Sequence, residues 1–255
     1  VTIVALDTSL SLSAPGQFER AKTLAKEAIA AAPSGDLVGV VTFSNEARIA
    51  REPSGERAPA SAAVDQAATN FGATRYRAAL SRASAAIEGR RGTIIVVTDL
   101  QEGGWDSGDS ATVPASTEVK VADVGAPPPN LAVISVRAAG ERVAAVVRNA
   151  GPSGREARVR LTVDGRIAGE ATAAMAPGQS SEVMLPGARG TEASVAVDDP
   201  SGIQADNVRY LVLNNRIRPV VLLVTPGSDP SRDAFYVRHA LAAEGADGAA
   251  YGVES

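Results

Sequence analysis

Cysteine is absent from this chain. That excludes thiol catalysis, zinc–thiolate sites and disulfides together, but it does not fix the compartment. Aromatic residues are scarce, at 4%, so alanine and valine fill the apolar positions of a chain that is still 45% hydrophobic. The single histidine, His239 in Y-V-R-H-A-L, has no thiol to activate and reads as a helix-surface or packing residue. A basic stripe is missing too; with a net charge of −4, nucleic acid is an unsuitable partner. The longest apolar runs, such as Val220 to Val224, are too short to cross a membrane, and no signal-peptide pattern is present. Because Val1 already lies inside a strand pattern, the expectation is an excised segment, with any anchor or targeting sequence outside it.

What is present begins at the first residue. V-T-I-V-A-L is a run of β-branched and apolar residues that ends at Asp7, followed by Ser9 and Ser11. Such a run predicts a buried parallel strand, and the polar cluster then falls at its C-terminal end, where open α/β sheets place their ligands. One carboxylate and two hydroxyls on a tight loop form a hard, all-oxygen donor set suited to Mg²⁺, Ca²⁺ or Mn²⁺. Two further stretches match it. G-A-T-R-Y puts Thr74 just before a helical pattern, and T-I-I-V-V-T-D is a second apolar strand ending at Asp99. The competing reading is capping, since Asp and Ser commonly satisfy loop and helix-end backbone.

These three parts in this order resemble the metal-ion-dependent adhesion site of the von Willebrand factor A family: D-x-S-x-S, a loop threonine and a strand-end aspartate. The resemblance implies Ser9, Ser11 and Thr74 as direct ligands, with Asp7 and Asp99 bound directly or through water, and an open coordination position that takes a partner's carboxylate. Ala73 stands where a second glycine is frequent and Leu100 where glycine is common; neither departure removes a ligand. Arg75, Tyr76 and Trp105 are candidates for the rim, with simple loop packing the competing role for Trp105.

The remaining pattern divides the chain. Residues 1–125 read as a doubly wound α/β domain: helices over 17–32, 60–69 and 75–88, strands over 36–50 with a turn at 44–46, a loop over 51–59, and strands over 93–98 and 118–124. Ala126-Pro127-Pro128-Pro129-Asn130 is a stiff linker. Residues 131–215 alternate as short strands with turn signals between them, Asp164-Gly165 the clearest, and predict an immunoglobulin-like β-sandwich. Asp198, Asp199 and Asp206 read as turn residues rather than a calcium site. Residues 216–255 look like the start of a second Rossmann-like, glutamine-amidotransferase-like unit, with no nucleophile to support activity.

The order of these parts resembles bacterial aerotolerance-regulator-like (BatA-type, N-terminal double-transmembrane) membrane proteins. It implies anchoring through segments outside this chain, an extracytoplasmic location, and work beside other A-domain proteins and a MoxR-type AAA+ ATPase. The expected function is a cation-dependent protein-binding module that is not an enzyme. A phosphotransferase of the haloacid dehalogenase type needs a second acid two residues after the first, and Ser9 occupies that position. An array of purely structural domains is the other alternative.

Overall fold

The computed structural model describes residues 1–105, 111–140, 142–186, 190–213, 220–222, 232, 235–242, 244–245, 248–249 and 252–254. Its first sheet is built on β1 (Thr2–Asp7), all six residues of which are buried. β1 pairs in parallel with β2 (Val38–Phe43) on one side and β4 (Gly92–Thr98) on the other. β3 (Ala47–Ser54) adds antiparallel to β2, and β5 (Thr117–Asp123) adds parallel to β4, so the order is β3-β2-β1-β4-β5. Apolar runs without alternation are what a strand covered on both faces requires.

Two layers of helix supply that cover. Val4 and Leu6 point with Val38, Val40 and Val97 into a core closed by α1 (Gln17–Ala31) and α2 (Arg57–Gln66). Ile3 and Ala5 point the other way, toward α3 (Tyr76–Ile87). The helices present mainly alanine to the sheet: Ala21 and Ala25 from α1, Ala79 and Ala83 from α3. Small side chains let the helix backbones approach closely, and the dense packing this allows compensates for the shortage of aromatics.

One expectation is corrected. Residues 51–59, read as loop, instead complete β3 and begin α2. Both prolines sit where a missing N–H is tolerated. Pro53 lies on an edge strand beside the register shift between Val38 and Val40, and Pro59 lies in the first turn of α2.

Seven antiparallel strands follow: β6 (Leu131–Ala139), β7 (Arg142–Asn149), β8 (Arg155–Val163), β9 (Arg166–Met175), β10 (Ser180–Leu185), β11 (Glu192–Val197) and β12 (Val208–Val212). They form a three-stranded sheet, β10-β7-β6, and a four-stranded sheet, β12-β11-β8-β9. Alternate residues of both sheets, including Val133, Val147, Val159, Leu161, Val183 and Val195, share one apolar core. Asp164 and Gly165 turn β8 into β9 with φ of 44° and 77°, as a type I′ hairpin demands. Beyond residue 216, Val220–Leu222 pairs in parallel with Gly252–Glu254, with a helix, Phe235–Ala242, and a short antiparallel pair, Glu244–Gly245 with Gly248–Ala249, between them in the chain; the other residues of that predicted unit, except Arg232, lie outside the described residues. His239 stacks on Phe235, with ring centroids 4.2 Å apart, and its Nδ1 lies 2.9 Å from the Phe235 carbonyl oxygen.

Where the proline-rich segment enters β6 it is clamped. The Asp199 carboxylate, fully buried, accepts hydrogen bonds from Leu131 N at 2.7 Å and from Arg155 at 2.7 and 3.1 Å. Burial pushes its carboxyl up, but the bonds from Arg155, Leu131 and Ser201 outweigh that and hold it below 3.8. Stability from this clamp is therefore present above the ordinary aspartate value and lost as pH falls through the depressed one. Asp199→Ala, which strands Arg155 and the Leu131 amide, should cost about 3 kcal/mol by chemical denaturation at neutral pH, with the gap to wild type narrowing in acid.

Candidate functional site

The alternation that sends Ile3 and Ala5 toward α3 sends Asp7 the same way, at the C-terminal end of the central strand. Its side chain is fully buried. Asp7 Oδ1 accepts from the Ser9 amide at 2.8 Å, and Oδ2 accepts from Thr98 Oγ1 at 2.7 Å and Thr74 Oγ1 at 3.3 Å. Thr74 Oγ1 also donates to Ser9 Oγ at 2.9 Å, and Ser9 Oγ lies 3.1 Å from Ser11 Oγ. Four of the five residues singled out by sequence, Asp7, Ser9, Ser11 and Thr74, thus share one network. The fifth, Asp99, follows Thr98 at the end of β4 and is nearly buried. It is not bonded to the other four. Gln101 Nε2 donates to its Oδ2 at 2.9 Å, while its Oδ1 is buried and has no hydrogen-bond partner.

The loops that carry these groups are fixed by backbone bonds. Asn70 N donates to Thr8 O, and Leu10 N to Gly72 O, both at 2.9 Å, which ties the Thr74 loop to the Ser9 loop. Asn70 and Asn45 side chains accept from the Gly72 and Ala73 amides at 2.7 and 2.8 Å. A Cβ at Gly72 would stand 2.8 Å from Asn70 Oδ1 and 2.9 Å from Ser44 Oγ, so only glycine fits this approach. Leu100 adopts φ of 56° directly after Asp99 and leaves its side chain half exposed. A leucine there carries roughly 1–2 kcal/mol of backbone strain that a glycine would not.

Sequence reasoning missed Thr98 and Gln101. Thr98 continues the inward alternation of Ile94 and Val96 and gives Asp7 its shortest hydroxyl bond; a polar residue at an inward strand position was the available signal. Tyr76, placed at the rim by its position in sequence, is instead buried, with its hydroxyl 3.3 Å from Thr98 Oγ1. Gly104 lies against its ring, and Trp105 packs 5.7 Å from it while staying 44% exposed.

Burial pushes the Asp7 carboxyl above the ordinary 3.8; hydrogen bonds from Ser9 and Thr98 pull it down, and the charge of Asp99 pushes with the burial. Tyr76 is raised as well, by burial first and then by both aspartates. Two nearly buried acids, one with a bare oxygen, stand beside three hydroxyls as a donor set of oxygens alone. Among the described residues no three acidic, histidine or cysteine side chains converge; the set is two carboxylates and three hydroxyls. A raised folded-state value means that stability falls as pH climbs from 3.8 through it. In EDTA, Asp7→Asn should therefore melt higher than wild type at pH 7, and the difference should close on acidification; equal melting curves at both pH values would contradict this account.

The sequence profile of the von Willebrand factor type A domain matches residues 2–103. Among solved structures, the chain is similar to BatB from Bacteroides thetaiotaomicron, with 23% identity over 51% of this chain and 70% of that one, at a TM-score of 0.39. An aerotolerance-related membrane protein from Bacteroides fragilis shares 22% over 55% and 73%, at 0.38. Proximal thread matrix protein 1 from the mussel byssus, solved with a zinc-occupied metal-ion-dependent adhesion site, shares 17% over 47% of this chain but only 36% of its own, at 0.37. No curated protein matches the chain. Residues 2–103, which hold β1 to β4 and the three helices of the first sheet, thus match the von Willebrand factor type A domain.

Proposed function

We propose that this A-type domain is a divalent-cation-dependent protein-interaction module. A-type domains are in general interaction modules rather than enzymes, and the finer reading rests on one observation: three hydroxyls and two aspartates gathered at the end of β1, with a buried carboxylate oxygen of Asp99 left without a partner. In this reading Ser9, Ser11 and Thr74 hold the ion, and Asp7 and Asp99 balance its charge directly or through water. When bound, the ion supplies a Lewis-acidic position for a carboxylate oxygen of the partner. The chain's own residues do the rest. The Asn70 and Asn45 bonds preset the Thr74 loop, Thr98 orients Asp7, and Gln101 orients Asp99.

The 2.9 and 3.1 Å separations of the hydroxyl oxygens are ordinary hydrogen-bond lengths, so the hydroxyls would need little rearrangement to pass from bonding one another to bonding an ion. That same self-sufficiency favours a second reading, in which the network only caps the strand end and the chain is a structural array.

By the resemblance stated above, we extend the proposal to a protein partner, either another A-domain protein or a MoxR-type ATPase, and to an extracytoplasmic setting with anchors outside this chain. Among the described residues no helix is long and apolar enough to cross a membrane.

Titration calorimetry separates the two readings. The expected result is one saturable site for Mg²⁺, Mn²⁺ or Ca²⁺ that is lost in an Asp7→Ala, Asp99→Ala double variant. At a hundredfold excess over Kd the ion should add about 2.7 kcal/mol of stability. Absence of heat from the wild type would favour the capped strand end.

A further inference from the structure

The space above Ser9, Ser11 and Thr74 is a cleft of about 370 Å³, and the A-type domain does not enclose it alone. It is lined by Leu10 and Phe71, by Gly103 and Gly104, and by Ile203 from the loop between β11 and β12. A smaller hollow next to it, about 180 Å³, is bounded by Leu10, Ser13 and Phe71 on the A-type side and by Gln204 and Ala205 on the other. The same turn therefore lines the cleft over the candidate site and a second hollow beside it.

That turn is held firmly. Ile203 N donates to Asn130 Oδ1 at 2.7 Å, and Asn130 Nδ2 donates to Asp206 Oδ2 at 2.9 Å. Gln204 Nε2 donates to the Asp199 and Gly202 carbonyls, both at 2.9 Å, and Asn207 Nδ2 to the Asp199 carbonyl at 3.0 Å. The clamp that fixes the linker thus also sets where Ile203 stands. Phe71, which lines the same cleft, is 84% exposed. Phe71 and Leu10 put apolar surface beside the hydroxyls of the cleft floor, within reach of a ligand that enters it.

From this arrangement we infer that the turn 203–205 is the second half of the binding surface. The cleft selects a partner loop whose acidic residue is flanked by an aliphatic side chain such as leucine, isoleucine or valine. The inference rests on the metal-dependent reading of the floor. The carboxylate goes to the floor, where the hydroxyls and the ion lie. Its neighbour is pressed between Phe71, Leu10 and Ile203, where an aliphatic group gains from leaving water and a charged one loses its hydration without a partner.

Two small carboxylates test this on the full chain loaded with Mn²⁺. A carboxylate that enters the open coordination position displaces bound water and lowers the water-proton relaxation rate, which gives its affinity. The probes are acetate and 4-methylpentanoate, which differ by four carbons. Full burial is worth about fourfold per methylene, so partial burial should make 4-methylpentanoate bind at least tenfold tighter than acetate. Ile203→Ser and Phe71→Ser should each reduce that ratio several-fold, with one Mn²⁺ per chain as the check that each variant is folded. Equal affinities for the two probes in the wild type, or an unchanged ratio in both variants, would overturn the inference while leaving the metal site standing. No Mn²⁺ binding at all would sink the metal site and this inference together.

Discussion

A carboxylate fully withdrawn from water at the end of the central strand is the constraint on which the first half of this molecule depends. Burying Asp7 is unfavourable by itself, so its neighbourhood is arranged to offset the loss. The Ser9 amide, Thr98 and Thr74 all donate to it. For them to reach it, the loop after β1 must turn back on itself, β4 must end beside β1, and the segment before α3 must arrive over both. Each requirement is visible elsewhere as a backbone bond between loops or a glycine that admits no side chain. The apolar layers above and below the sheet hold the strands in the register that these donors need.

The two halves of the described chain solve the core problem with similar residues and opposite patterns. In the α/β half, continuous apolar runs are covered on both faces by alanine-rich helices. In the second half, strict alternation directs valine and leucine inward from two facing sheets. Neither core uses many aromatics, so those that occur have particular places. Phe43 and Tyr76 lie under the site with ring centroids 6.3 Å apart, Trp105 packs on Tyr76, and Phe71 faces solvent at the cleft.

Much of this was legible in the sequence because the signals were local and strong. Val1 to Asp7 and Thr93 to Asp99 could hardly be other than buried strands, and Asp-x-Ser-x-Ser with Thr74 marked one place in space. The prolines at 53 and 59 misled, because a proline's meaning depends on whether its N–H faces a neighbour, which is tertiary information. Thr98 was hidden for a related reason. A threonine ending an apolar strand looks like propensity until the carboxylate it serves appears on the adjacent strand. The approach of the 203–205 turn to Leu10 and Phe71 left no trace in either segment, since the long separation between them leaves no pattern to read.

The bonds around Asp7 join residues far apart along the chain: Thr74 is 67 positions away and Thr98 is 91. Segments so distant meet only after the parallel strands have closed large loops, a step that is slow because entropy is lost before contacts are gained. The network can be completed only once β1, β4 and the segment before α3 have met. Interactions formed after the barrier change the rate of escape and not the rate of arrival. If the cluster at the end of β1 closes after that barrier, whatever strengthens it lengthens the lifetime of the folded domain without speeding its formation.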